Sequence, residues 1–257
     1  MLELTPSLSV TLAPLVRLSG SVPRAIGEAA DAGFHSVQLS AATPGIRPRE
    51  LGKRARRDVL ALLARRGLAL GGIDLMIPHK DWLSGSTQDR AMTAATAAIE
   101  LAADWGKVPL AMTLPVERLP EEIQRELLTA ADAHGVLLAI HAEHDVKALQ
   151  AWLEREDQPV LAAAIDPAAL LAKGDDPADV AISLARWVRV AKLDDYSNVS
   201  TLGSGGRCAL GQGELDLDHY RAALATCSKL RAMVLDLRDL EDVRQAMDHA
   251  QQVWEVY

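Results

Sequence analysis

Apolar residues cluster into eight short, β-prone runs separated by longer stretches of helical period. The runs are Ser7–Leu12, Ser36–Ser40, Leu68–Leu75, Val108–Leu114, Val136–His141, Val160–Asp166, Val188–Leu193 and Ala232–Leu237. Between them, segments such as RPRELGKRARRDVLALLARRG and DRAMTAATAAIELAADWG place apolar residues three and four positions apart and end on glycine, the period and stop signal of amphipathic helices. This alternation predicts right-handed βαβ units on a parallel sheet. Eight such units in 257 residues predict an α/β fold closed as a (β/α)8 TIM barrel, with an open doubly wound sheet as the alternative. No linker or low-complexity tract interrupts the series, so residues 1–257 are read as one domain. The Gly/Ser-rich stretch DDYSNVSTLGSGGRCALGQG follows the seventh run, and a loop of that length in a compact domain is often functional.

Barrel active sites lie at the C-terminal ends of the strands, which narrows the polar residues worth weighing to Gln38, Asp74, His79, His141, Glu143, Asp166, Lys192, Asp194, Asp195 and Asp236. In LLAIHAEHD, strand alternation puts Ala139, His141 and Glu143 on one face and Ile140 and His144 on the other. A histidine and a carboxylate two residues apart can bind a divalent ion or divide acid and base roles; the bland reading is a pair of satisfied loop-entry groups. In LAAAIDPAAL, Asp166 precedes a proline at a helix start, where aspartate is commonly just an N-cap. In WVRVAKLDD, Val188, Val190 and Lys192 share one face and Arg189, Ala191 and Leu193 the other. Pattern alone leaves open whether Lys192 enters the barrel or snorkels to the surface. In RAMVLDLRDLED, Asp236 closes the last strand and Arg238 follows two residues on.

Composition changes the picture mainly by exclusion. Apolar residues make up 49% and charged residues 24% of the chain, which predicts a packed fold rather than disorder. The formal charge of -8 disfavours nucleic acid and anionic membrane as partners. Cys208 and Cys227 are the two cysteines, too few for a disulfide framework. With no signal-like N-terminus and no apolar run near the roughly 20 residues of a membrane span, a cytoplasmic location is expected. The arginines of RPRELGKRARRD are spread by helical spacing around an exposed face. GSGGRCALGQG lacks the strand–GxGxxG–helix setting of a dinucleotide site, so no nucleotide cofactor is expected, and Cys208 has no evident base partner.

Several segments together resemble the xylose isomerase-like TIM barrels, a family of sugar phosphate isomerases and epimerases that also includes apurinic endonucleases. AIGEAADAGFHSVQL is similar to the family's opening helix and second strand, IPHKDWLSGSTQDRAMTAATAAIELAADWG to its third loop and helix, and AAAIDPAALLAKGDDP to its sixth strand. LGQGELDLDHYRAAL matches the GeGelD segment before the seventh helix and is the most specific of these. The resemblance implies a divalent ion, manganese, magnesium or zinc, held by Glu, Asp, His and Glu from the fifth to eighth strands. Carried over, those positions fall on His141, Asp166, Lys192 or Ala191 depending on register, and Asp236, and Gln38 stands where the second strand often has Glu. His141, Asp166 and Asp236 are thus the candidate metal ligands.

The substitutions suggest a metal-weakened or metal-free site. In that reading Lys192 polarises a carbonyl, His141 or Asp236 moves protons, and Gln38, His79, Glu143, Asp194 and Arg238 bind substrate. The implied activity is isomerisation or epimerisation of a sugar or sugar phosphate by proton transfer beside a carbonyl, with a small carbohydrate-like ligand as partner. The competing reading is a degenerate barrel that serves as a binding or scaffold protein. DNA repair is disfavoured, because the family's endonucleases need several metals and a richer His/Glu set. Homo-oligomerisation is left open.

Overall fold

The computed structural model describes residues 8–143, 145–199 and 205–255. Ser7, His144 and residues 200–204 of the long loop, which entered the reading above, lie outside the described residues. Each predicted run forms a barrel strand, usually trimmed by a residue or two. β1 (Leu8–Thr11) leads directly into α1 (Leu12–Ser19) and α2 (Val22–Asp31), then β2 (Ser36–Ser40). Leu12 belongs to the helix rather than the strand because Pro14, in the first turn, costs no helical hydrogen bond there. A single 3-10 turn at Pro48–Glu50 precedes α3 (Lys53–Arg65), followed by β3 (Ala69–Leu75), α4 (His79–Leu83), α5 (Gly85–Asp104), β4 (Leu110–Met112), α6 (Glu121–His134) and β5 (Leu138–His141). The second half continues with α7 (Val146–Glu156), β6 (Leu161–Ile165), α8 (Pro167–Leu171), α9 (Pro177–Ser183) and β7 (Val188–Leu193). A hairpin of β8 (Asp195–Ser197) and β9 (Gly206–Cys208) then precedes α10 (Leu217–Ala225), β10 (Ala232–Leu235) and α11 (Val243–Glu255).

The strands β1 to β7 and β10 close into one parallel barrel in which β1 pairs with both β2 and β10, which removes the doubly wound alternative. Its interior is filled by small and branched side chains: Ala111, Leu137, Ala139, Ala162, Ala164, Val190, Ala232 and Val234. The alternate residues, Ile140, Ala163, Ile165, Ala191, Leu193 and Leu235, face the helices in the outer core. Period-two alternation therefore carries the inward face forward to whatever follows the last apolar inward residue. That residue is His141 after Ala139, Asp166 after Ala164, Lys192 after Val190 and Asp236 after Val234. Among the described residues, no helix is long and apolar enough to cross a membrane.

The stretch read as a loop contains the β8–β9 hairpin, whose strands are too short and polar to show a period. Asp195 holds its base. Its carboxylate accepts from the backbone N–H groups of Tyr196 at 2.8 Å, Leu215 at 2.9 Å, Gly211 at 3.1 Å and Gly213 at 2.9 Å. The two glycines of LGQGELD have distinct roles here. Gly211 has a φ of +78°, and a Cβ on Gly213 would collide with the Tyr196 carbonyl oxygen and the Asp195 carboxylate. Replacing Asp195 by alanine strands these donors, one of them on the buried Leu215. The expected cost is about 2–3 kcal/mol, read as a lower midpoint in urea unfolding; an unchanged midpoint would mean that water replaces the carboxylate.

Candidate functional site

The C-terminal mouth of the barrel divides into two unlike halves. On the side of β6, β7 and β10 stands a buried ionic cluster. Lys192 has no exposed side-chain surface, and its Nζ donates to Asp166 Oδ2 at 2.9 Å and lies 3.0 Å from Asp236 Oδ2. The hairpin supplies Arg207, whose Nη2 donates to both Asp166 oxygens at 2.8 and 2.9 Å and whose Nη1 donates to Asp194. Arg238 donates through Nη2 to Asp166 at 3.0 Å and through Nε to Asp236 at 2.7 Å. Asp166 is also the N-cap of α8, accepting from Ala169 N at 3.1 Å, and Asp194 accepts from Ala168 N at 3.0 Å. Asp166 is thus the helix N-cap of the bland reading and at the same time a member of the ionic cluster.

Electrostatics follow from this packing. Burial would raise the Asp166 and Asp236 carboxyls, but Lys192, Arg207 and Arg238 outweigh it and hold both below the usual carboxylate range. Burial opposes the Lys192 charge, and Asp166 and Asp236 overcome that opposition, so the ammonium is held more firmly than in water. Asp194 goes the other way: burial and the neighbouring Asp166 push it up to about 8 against the pull of Arg207.

The opposite half, on β2, β3 and β5, is polar but unsatisfied. Gln38, Asp74 and His141 are 2%, 5% and 3% exposed. Among the described residues, Gln38 Oε1, Asp74 Oδ1 and both ring nitrogens of His141 have no hydrogen-bond partner. Buried polar groups are rarely left unpaired, so four such atoms on one side of the barrel single out this half as the candidate site. Burial, reinforced by Lys192, drives the His141 pKa well below its ordinary 6.5 and keeps the imidazole neutral. Burial likewise raises Asp74 and the half-buried Glu143. Arg238, 25% exposed, acts electrostatically on all three of these groups, and its Nη1 makes none of the cluster's contacts given above.

A pH consequence can be signed directly. The folded state keeps His141 neutral while the unfolded chain takes up a proton below about pH 6.5. Acidification through that range therefore favours unfolding, by up to about 1.4 kcal/mol per pH unit for one proton. Relative to wild type, His141→Gln is expected to lose this sensitivity, so that the variant gains on wild type in urea unfolding as the pH falls from 7 to 5. Parallel pH profiles would count against a neutral buried imidazole.

The residues singled out from sequence separate clearly. Lys192 points inward and Ala191 outward, which settles the register. His141, Asp166, Lys192, Asp194 and Asp236 ring the mouth with Gln38, while Glu143 stands half-buried just beyond β5 and His79 opens α4, outside the ionic cluster. Sequence reasoning missed Arg207, which lies 41 residues from Asp166 along the chain; its one signal is being the sole charged residue in GSGGRCALGQG. It also gave Asp195 no role, although that side chain organises the hairpin. Cys208 is pushed up to about 11 by burial and the nearby Asp195, in line with its dismissal as a nucleophile. Of the arginine-rich segment only residues 53–58 enter α3, with Arg54 90% exposed and Arg56 16% exposed beside Asp104, while Pro48–Glu50 form the 3-10 turn.

Oxygens of Asp166, Asp194 and Asp236 lie within 4.8 Å of one another, close enough to hold one divalent ion. The residues around them do not fit one. Those same oxygens already accept from Lys192, Arg207 and Arg238.

Comparison with known proteins places the barrel. A family model described as "Xylose isomerase-like TIM barrel" matches residues 26–252. No curated protein matches the chain in sequence. Among solved structures, a D-allulose 3-epimerase from Methylomonas sp., in complex with D-allulose, superposes with a TM-score of 0.73 at 13% identity, covering 98% of this chain and 96% of its own. A xylose isomerase-like TIM barrel protein from Mycobacterium smegmatis, in complex with magnesium, gives 0.74 at 14% identity over 98% and 96%. AsbF from Bacillus anthracis, a probable 3-DHS dehydratase, gives 0.70 at 12% identity over 96% and 98%. At such identities the likeness establishes the fold, and the reaction must be argued from the site.

Proposed function

Because the chain belongs to the xylose isomerase-like TIM barrel family, we propose that it catalyses isomerisation or epimerisation of a small, sugar-like hydroxycarbonyl compound by moving a proton at the carbon beside the carbonyl. The observation that supports this reading is the unsatisfied half-mouth: among the described residues, four unpartnered buried polar atoms on Gln38, Asp74 and His141, within the electrostatic reach of Arg238. A polyhydroxylated ligand is the kind of molecule that satisfies both donors and acceptors in a small space.

The roles follow from charge and protonation. His141, kept neutral by burial, can accept the proton from the substrate carbon. The negative charge that develops on the carbonyl oxygen is stabilised by Arg238 Nη1. Glu143, whose carboxyl is raised by burial and by Asp166, is assigned the return of the proton to the carbon or to an oxygen. Gln38 and Asp74 orient hydroxyl groups. In this assignment Lys192 and Asp236 support the site from beneath instead of touching substrate, since Lys192 is tied to Asp166 and Asp236, and Asp236 to Arg238. The D-allulose held by the epimerase of similar fold supports a ketose as the first substrate to try.

The test is solvent deuterium incorporation into a panel of ketoses, followed by mass spectrometry. Exchange at one carbon, dependent on His141, supports the reading. Saturable ligand binding with no exchange would overturn it in favour of a binding protein, the reading that the retained acid/base groups make less attractive.

A further inference from the structure

We propose that the ammonium of Lys192 is the resident cation of this barrel, occupying the place between Asp166 and Asp236 where a divalent ion would otherwise be held, and that the native protein is complete without a bound metal. The inference rests on the ionic cluster alone and stands whatever reaction the other half of the mouth performs.

The geometry carries it in three steps. First, Lys192 Nζ sits 2.9 Å from Asp166 Oδ2 and 3.0 Å from Asp236 Oδ2, bridging two of the three carboxylates able to share one ion. An ion coordinated by both oxygens would have to displace the ammonium, which has no route out: its side chain is sealed, with no exposed surface. Second, the charge is already balanced. Asp166 and Asp236, both held ionised, face Lys192, Arg207 and Arg238, while Asp194 is pushed up to about 8, so a dication would enter a cluster whose negative charge is already matched by resident cations. Third, hard divalent ions depend on anionic oxygen donors that have no competing partner. Here both oxygens of Asp166 are engaged by Arg207, with Lys192 and Arg238 added on Oδ2, and Asp194 is taken by Arg207 and Ala168 N.

Two of the three cations come from barrel strand ends, Lys192 in β7 and Arg238 just after β10. The third, Arg207, arrives on the hairpin. The Asp195 carboxylate at the hairpin base therefore has a second task. By fixing β8 against residues 211–215 it sets the distance over which Arg207 reaches back to Asp194 and Asp166.

Metal content and metal titration test this without any assay of turnover. Wild-type protein purified without chelator is expected to contain well under one equivalent of manganese, magnesium or zinc by elemental mass spectrometry. Millimolar manganese should leave its melting temperature unchanged. Lys192→Ala/Arg207→Ala exposes the three carboxylates with one compensating cation left, and manganese is expected to raise its melting temperature and to give a bound-ion signal in electron paramagnetic resonance. One tightly held ion per wild-type chain would overturn the proposal regardless of how the variant behaves. A folded double variant that takes up no manganese at millimolar concentration would also overturn it, because the three carboxylates would then be unable to hold an ion even when uncovered.

Discussion

Lys192→Met is expected to destabilise the fold by about 3–5 kcal/mol, because it removes one member of a buried ion-pair network and leaves its partners' charge in place. Methionine fills much of the lysine volume, so the loss is electrostatic rather than a cavity. After the substitution, Asp166 keeps Arg207 and Arg238, and Asp236 keeps Arg238. Both carboxylates then lose their shared ammonium at a point where neither has any exposed side-chain surface. Measured against the 5–15 kcal/mol that typical domains possess, this is a large share. Neutralising a partner should recover part of it: Lys192→Met/Asp236→Asn is expected to be about 1–3 kcal/mol more stable than the sum of the two single effects. Urea unfolding of the four proteins closes the cycle. Additive effects would mean that Lys192 and Asp236 are not coupled, and the description of the cluster would fail with them.

The barrel was legible because its strands are lined by alanine and valine at every second position. Once Ala139, Ala164 and Val234 are placed inside, His141, Asp166 and Asp236 follow without further information. Lys192 was harder. β7 is buried on both faces, as parallel strands commonly are, so the alternation of Val190 against Ala191 does not say which face looks inward. Register supplies the answer, with Lys192 paired to Val234 across the β7–β10 contact, and register is not written in one strand. The unsatisfied state of Gln38 was also invisible, since its placement depends on a shift between Val37 and Gln38 against β3. Arg207 illustrates the general limit. A residue that acts at long sequence separation from a short hairpin has no periodic neighbours to announce it, and only the folded chain brings it to Asp166.

His141→Leu is expected to separate stability from activity in opposite directions. If His141 is the base that the half-mouth is built around, its removal should lower the rate of deuterium exchange by about 10²–10⁴-fold, the usual worth of a positioned acid/base group. A purely structural histidine would behave differently. Its nitrogens would be satisfied, and replacing it would strand their partners and cost stability. Here both nitrogens lack partners among the described residues and the residue is 3% exposed. Removing an unpaired buried polar group in favour of a hydrocarbon of similar size is nearly neutral or stabilising. Leucine should thus leave the urea midpoint at pH 7 unchanged or raise it, and below pH 6.5 the gain should widen, because the neutral imidazole no longer has to resist protonation. Glu143→Gln provides the companion measurement: exchange falls while stability moves little, as the side chain is half-buried. A His141→Leu protein that exchanges at the wild-type rate would remove the imidazole from the mechanism; one that loses several kcal/mol at pH 7 would mark it as a structural residue. The paired result, slower and no less stable, is what a group held ready for a ligand produces and a group held for the fold does not.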